Sequence, residues 1–309
     1  MERIVRIKGI AYALLSSASF GLSPCFTLLL LGEGFTSFEV LAYRWGIATL
    51  FLVGCGLWAG RRFLLPRRMW GVVGLLSLLR AATSFSLIVA YANIATGAAS
   101  IIHFMYPLAV AAAMILFFGE RRSVRVLAAI ALSVAGTVLL SSGNTGPGTG
   151  NAVAGMTAAT VSIFTYGAYI VGMRKSRAAE LDSTVLTCYV MGIGALLFIL
   201  GGVCTDGMRL ATGGREWLWI LGLALPATAL SNLTLVKAIR AIGPTLTALF
   251  GAMEPLTAVA VGIALFGERL TPWGIAGIAA ILAAVGMTLV PPRSRDCLLY
   301  TSPSPRDCS

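Results

Sequence analysis

Charge is what this sequence has little of. Only 11% of its 309 residues are Asp, Glu, Lys or Arg, where a soluble domain carries about a quarter. There is too little polar surface to cover a water-facing fold. Histidine occurs once, at His103, which excludes a zinc hydrolase motif built on two histidines. No aspartate falls inside an apolar stretch, so Ser-His-Asp chemistry lacks its third member there. None of the three lysines, Lys8, Lys175 and Lys237, follows the glycine that a phosphate-binding loop requires. These gaps argue against an intramembrane enzyme and against ATP hydrolysis by this chain. The six cysteines form no CxxC pair. Cys25, Cys55, Cys188 and Cys204 sit in apolar runs and read as small buried hydrophobes, not as a disulfide or metal framework. No cofactor and no metal is implied.

What is abundant is apolar. Hydrophobic residues make up 58% of the chain and the mean hydropathy is +0.88. This excludes a disordered chain and points to a polytopic membrane protein whose first partner is the lipid bilayer. The net charge of +11 raises nucleic acid as a partner, but a nucleic-acid binder gathers its bases on one solvated face. Here they punctuate the chain between apolar runs, so no nucleic acid is expected.

A run of about 20 apolar residues crosses the hydrocarbon core as a helix. Such runs predict ten spans, at 9–31, 36–58, 69–91, 96–118, 124–141, 152–172, 183–205, 216–236, 244–266 and 272–290. Their continuity, without two-residue alternation, favours helices over barrel strands. The fold class expected is an all-α membrane protein of ten transmembrane helices in two inverted five-helix repeats. The N-terminus, with Arg3, Arg6 and Lys8 before an apolar run, imitates a signal peptide but is read as an uncleaved first span. The last stretch, 291–309, repeats Arg-Asp-Cys at 295–297 and 306–308. It is expected to be a disordered or non-native tail and is left out of the fold.

Lys and Arg set the orientation. With the N-terminus in the cytoplasm, inner segments hold Arg61, Arg62, Arg67 and Arg68, then Arg121, Arg122 and Arg125, Arg174, Lys175 and Arg177, and Lys237 and Arg240, besides the N-terminal three. Outer loops hold only Arg209, Arg215 and Arg269. The positive-inside rule then places both termini in the cytoplasm, and the expected location is a bacterial inner membrane.

The chain also repeats itself. Phe118-Gly119-Glu120-Arg121 recurs as Phe266-Gly267-Glu268-Arg269, each followed by a hydroxyl residue, Ser123 or Thr271; Pro107 and Pro255 keep the same offset of 148. Earlier landmarks keep an offset of 146: Gly9 and Gly155, Gly21 and Gly167, Ser37 and Ser183, Tyr43 and Tyr189. Residues 1–143 are read as the first repeat, the Gly/Pro/Asn-rich 144–151 as a linker, and 152–290 as the second. Five spans per half invert the second copy, an arrangement that secondary transporters use for a midplane site and alternating access. The Phe-Gly-Glu-Arg motif reads as structural: Gly ends one helix and Ser or Thr caps the next.

Ten spans, a five-plus-five duplication and a Gly-Glu-Arg turn after the fourth span of each half resemble the EamA family of the drug/metabolite transporter superfamily, over residues 8–290. The resemblance implies a basket-like bundle, with spans one to four and six to nine around a central cavity and the fifth and tenth at its edge. It also implies a small-molecule substrate, since members export aromatic and other amino acids or cationic drugs.

Charged side chains at mid-membrane are costly and mark sites. Arg80 lies eleven residues into the third span, about 16 Å deep at 1.5 Å per residue, and Glu254 is near the middle of the ninth. Neither has a charged counterpart in the other half, which suits a chemically lopsided ligand. The expected pairing puts the carboxylate of a zwitterion on Arg80 and its ammonium on Glu254. Glu39 and Arg44 lie nearer a boundary and read equally as anchors; the resemblance places Arg44 at an arginine common in the family. His103 is a candidate for proton coupling or for a helix-to-helix hydrogen bond. Phe20, Tyr91, Tyr106, Tyr166 and Tyr169 are candidate pocket aromatics, with Phe20 and Tyr166 equivalent under the 146 offset. Asn232 is expected to bond between helices, and Ala13, Ser17 and Gly21 to form a packing face. Pro107 and Pro255 are candidate hinges. The function expected is secondary transport of a small organic metabolite such as an amino acid, in the outward direction, with protons as a candidate coupling ion; cationic drugs are the alternative cargo, and a channel or intramembrane enzyme the alternative class.

Overall fold

The computed structural model describes residues 2–120, 123–141, 150–205, 207–266 and 271–289, and every regular element among them is helical. The α-helices are α1 (Glu2–Phe20), α2 (Ser23–Gly32), α3 (Ser37–Trp58), α4 (Trp70–Asn93), α5 (Thr96–His103), α6 (Tyr106–Phe118) and α7 (Val124–Ser141) in the first half. The second half holds α8 (Ala152–Lys175), α9 (Ser183–Cys204), α10 (Gly214–Ala224), α11 (Ser231–Ile242), α12 (Pro244–Phe250), α13 (Met253–Phe266) and α14 (Pro272–Leu289). A π-helical segment, Leu225–Leu230, joins α10 to α11. Most of the linker, the second Gly-Glu-Arg turn and the tail lie outside the described residues.

Among the described residues, eight helical stretches are long and apolar enough to cross a membrane: Ile4–Gly32, Ser37–Trp58, Arg67–Asn93, Ala98–Phe118, Ala152–Lys175, Ser183–Cys204, Gly214–Ile242 and Pro244–Val261. Two shorter apolar helices, Val124–Leu140 and Pro272–Met287, stand where the fifth and tenth spans are expected. Length and hydropathy therefore qualify eight spans, not ten.

Four expected spans are not single rods. The first breaks between α1 and α2, the fourth between α5 and α6, the ninth between α12 and α13, and the eighth carries the π-helical segment. Pro226 lies within the continuous eighth span at the start of its π-helical segment, whereas Pro24 and Pro107 each stand in the first turn after a break. There a missing N–H costs nothing, because the first turn has no intrahelical acceptor for it.

The molecule is apolar outside and hydroxyl-rich inside. Leu50, Leu116, Phe117 and Trp58 are exposed, whereas Ser77, Thr83, Ser162 and Thr228 are buried. Lipid accepts the first set without penalty, and most of the buried hydroxyls bond back to their own helix, as Ser77 does to the Val73 carbonyl (2.7 Å) and Thr83 to that of Leu79 (2.8 Å).

Packing respects the duplication. α1 lies on α11 as α4 lies on α8, while α3 pairs with α9, α6 with α12 and α7 with α14. Every one of these contacts joins one half to the other. Tyr43 donates to the Arg209 carbonyl (2.9 Å) and its repeat equivalent Tyr189 donates to the Phe63 carbonyl (2.9 Å). Residues 63 and 209 are themselves 146 apart, so one tie is made twice, once past each end of α3. Around Arg209 the tie is thickened. Its backbone N–H donates to Glu39 and its guanidinium pairs with Glu216, while Nη1 reaches the Glu33 carbonyl (3.0 Å). Glu39 also forms a capping box with Thr36 at the start of α3, so it anchors this end of the fold.

The first Gly-Glu-Arg turn works as a cap. Gly119 takes the left-handed conformation (φ 63°) and its N–H reaches back to Met114, while Ser123 accepts from the Val126 N–H at the start of α7 (3.4 Å). At the equivalent place in the second half, Thr271 accepts from Gly274 (3.0 Å).

Candidate functional site

Arg80 is 1% exposed, in the middle of α4 and between the two halves. Its Nε donates to Asn232 Oδ1 on α11 (3.1 Å) and its Nη1 to Ser84 Oγ, one turn along α4 (3.1 Å). Asn232 in turn donates to the Thr228 carbonyl inside the π-helical segment (2.8 Å). Four rings surround the guanidinium carbon: Tyr166 at 5.2 Å, Phe20 at 5.4 Å, and Trp45 and Tyr169 at 5.9 Å. These distances are within cation–π range, and the contacts strengthen where water is excluded. The rings come from α1, α3 and α8, so one buried cation collects helices from both halves.

Phe20 is shared. Its ring also lies 5.3 Å from the Arg44 guanidinium carbon. Arg44, 4% exposed, donates from Nε to Thr228 Oγ1 (2.6 Å), and its Nη2 is buried without a hydrogen-bond partner among the described residues. Thr228 passes its own proton to the Leu223 carbonyl (2.7 Å). The π-helical segment thus serves both arginines, Arg44 through the Thr228 hydroxyl and Arg80 through Asn232. Such segments are often found at functional sites.

Beside Arg44 lies a narrow cavity of about 10 Å³, with Ser23, Thr27, Ser84 and Tyr91 as its polar wall and Phe20, Leu87 and Ile88 as its apolar one. The room suffices for about one water molecule. Ser23 is the first residue of α2, so the break after α1 opens onto this space.

A second aromatic group continues from Tyr166. His103, at the last turn of α5, holds Ser162 Oγ through Nδ1 (2.8 Å), and its Nε2 is buried without a partner among the described residues. Its ring lies 5.3 Å from Tyr106 and 5.4 Å from Tyr166, and those two tyrosines meet at 4.7 Å. Tyr106 opens α6 and donates to the Ala248 carbonyl at the α12 end (3.4 Å).

Glu254 stands in the first turn of α13 and is partly buried. Its carboxylate has no hydrogen bond or ion pair among the described residues, and its charge lies within electrostatic range of Arg80 and Arg44. Gly21 makes this approach of α1 to α13 possible, since a Cβ there would lie 2.5 Å from the Glu254 carbonyl oxygen.

The sequence candidates therefore fall into one connected region. Arg80 contacts Phe20, Tyr166 and Asn232 directly, Tyr91 lines the adjoining cavity, His103 and Tyr106 extend the aromatic side, and Glu254 lies within electrostatic range of the arginines. Pro107 and Pro255 sit in the first turns of α6 and α13, just past the breaks. Glu39 lies apart, at the Arg209 end. Trp45, Ser84, Thr228, Ser23 and Thr27 were not legible as site residues. Only Ser84 carried a signal, its position one turn from a buried arginine. Thr228, Ser23 and Thr27 need the π-helical segment and the α1–α2 break to arrive there, and Trp45 the packing of α3 beside α4.

The sequence model of the EamA-like transporter family matches residues 7–142 and 153–290. Twenty-nine solved chains resemble the fold. One, described only as "Crystal structure of protein", superposes with a TM-score of 0.75 at 20% identity, over 94% of this chain and 99% of its own. No curated protein matches the chain.

Proposed function

The chain belongs to the EamA-like transporter family of the drug/metabolite transporter superfamily, and from that premise we propose that it is a secondary transporter exporting a small organic metabolite, such as an amino acid, by alternating access. A multi-pass membrane protein of a transporter family implies a small-molecule substrate and a lipid surround. The observation that carries the finer reading is the pair of buried arginines, held where the two halves meet, with Glu254 in electrostatic range and unpaired among the described residues. Charges so placed are costly in lipid unless a ligand or cavity uses them, and a zwitterion supplies both complementary signs.

In this reading α7 and α14 are the fifth and tenth spans, the second repeat is threaded opposite to the first, and both termini face the cytoplasm of an inner membrane, as the arginine distribution supports. The substrate chamber comprises Arg80, Glu254, Phe20, Tyr91, His103, Tyr106, Tyr166 and Asn232. The breaks next to Pro107 and Pro255 are the hinges. The repeated tyrosine ties at the two ends of α3 are the contacts that exchange as the halves rock.

Uptake of labelled aromatic amino acids into proteoliposomes tests this. Saturable uptake that falls in Arg80→Ala and Glu254→Ala is the expected result. Unchanged uptake in both variants removes the chamber assignment, and current without saturation by solute would make the protein a channel.

A further inference from the structure

The two buried arginines are not equivalent, and the difference assigns their work. Arg80 has its Nε and Nη1 engaged by Asn232 and Ser84, and four rings crowd its guanidinium. It has few directions left in which to receive a ligand. Arg44 has only Nε engaged, one ring beside it, and a buried Nη2 with nothing to bond among the described residues. A buried charged donor left unpaired is destabilising, and structures keep such groups where something else satisfies them.

The surroundings name the missing partner. Arg44 lines a cavity whose polar wall is made of hydroxyls, Ser23, Thr27, Ser84 and Tyr91. Hydroxyls can donate, and an ionised carboxylate only accepts. Ser23 also begins α2, a ten-residue helix, whose first N–H groups favour negative charge. Phe20, Leu87 and Ile88 close the opposite wall and suit an apolar side chain. Glu254, unpaired and within electrostatic range of Arg44, stands beside Gly21, next to Phe20 of the cavity wall.

We propose that Arg44, and not Arg80, is the residue that binds the carboxylate of a zwitterionic substrate, in the cavity between the α1–α2 break, α3 and α4. This deepens the transporter reading above and rests on it. Arg80 then acts as a positioning residue that gathers the aromatic wall. The cavity holds about one water in this conformation, so the carboxylate seats when the halves part and enlarge it. Because Thr228 of the second half holds Arg44, occupancy of the site is felt by both halves.

The test compares proteoliposome uptake of labelled L-phenylalanine and L-phenylalaninamide, which share ammonium and ring and differ in the carboxylate charge. Wild-type kcat/KM for the acid is expected to exceed that for the amide by about tenfold or more, the effect of one charge-assisted bond. Arg44→Gln brings the ratio to about one, and Arg44→Lys restores part of it. Arg80→Gln slows both solutes alike and keeps the ratio. A ratio preserved in Arg44→Gln, or lost in Arg80→Gln, overturns the assignment to Arg44 while the transporter reading stands. Uptake of neither solute, nor of any other amino acid, by the wild type overturns the zwitterion reading and the assignment together. If Arg44→Gln does not fold, Tyr91→Phe examines the same cavity: the ratio should fall about threefold, the margin by which a hydroxyl's bond to a carboxylate exceeds its bond to an amide carbonyl, and no change counts against the proposal.

Discussion

Replacing Asn232 by leucine isolates the bond that fixes Arg80. Leucine keeps the branched heavy-atom skeleton of asparagine, though with bulkier ends, and two hydrogen bonds are lost: the one accepted from Arg80 Nε (3.1 Å) and the one donated to the Thr228 carbonyl (2.8 Å). In a soluble core the charged bond alone would contribute about 1.5–3 kcal/mol. Between membrane helices, measured couplings average about 0.6 kcal/mol and reach about 1.7, because the unfolded chain in lipid also finds partners. Arg80 is 1% exposed and has no water to fall back on, so the upper membrane value applies to its bond and the mean to the amide bond. The expected loss is about 2 kcal/mol. SDS titration of the protein in mixed micelles reads it. A double-mutant cycle with Arg80→Leu should return a coupling energy of about 1–1.7 kcal/mol. A loss below about 0.5 kcal/mol, within the range of neutral substitutions, or a coupling near zero, would show that Ser84 and the rings hold Arg80 without Asn232.

Two further outcomes follow from the packing between the halves. Gly277→Leu places a Cβ 2.5 Å from the Gly136 carbonyl oxygen and 2.6 Å from the Leu140 nitrogen, so it should prise α14 from α7 and cost about 1–3 kcal/mol, as overpacking does. A Cβ at Gly286 on the same helix meets nothing within 4 Å, so Gly286→Ala should leave thermal unfolding unchanged where Gly277→Ala lowers it; equal effects of alanine at the two positions would refute close backbone contact as the cause. Arg209→Ala removes contacts to Glu216 and Glu33 together, and should speed maleimide labelling of a Ser23→Cys reporter in the cavity. Labelling at the parent rate would mean that this cluster does not seal its end.

Much of the architecture was open to reading before any coordinates. Hydropathy is a sum over about 20 residues, so the eight long spans emerge from local composition within a few positions of their ends. The offset of 146 paired Phe20 with Tyr166 and Tyr43 with Tyr189. In the structure the first pair faces Arg80 from both halves, and the second makes the twin ties. Duplication leaves its trace in the order of residues, which needs no third dimension to detect. Arg80 and Asn232 were singled out because a polar group in an apolar run is costly wherever the chain folds.

What lay beyond the sequence depends on which atoms meet. The depth of Arg44 marked it only as anchor or contact. Its loose nitrogen appears once a π-helical segment turns Thr228 toward its Nε and leaves Nη2 facing no acceptor. The Ser23 and Thr27 hydroxyls reach the same space only because the first span breaks after Phe20. Glu39, equally charged and equally buried, is occupied by Thr36 and Arg209. Composition and periodicity determined that this chain lives in lipid as two copies of one helical unit, because those properties add up along the chain. Tertiary structure alone decided which buried charged groups are satisfied among the described residues and which are not, because hydrogen bonds are settled by direction over about 3 Å between residues as distant in sequence as Arg44 and Thr228, 184 positions apart.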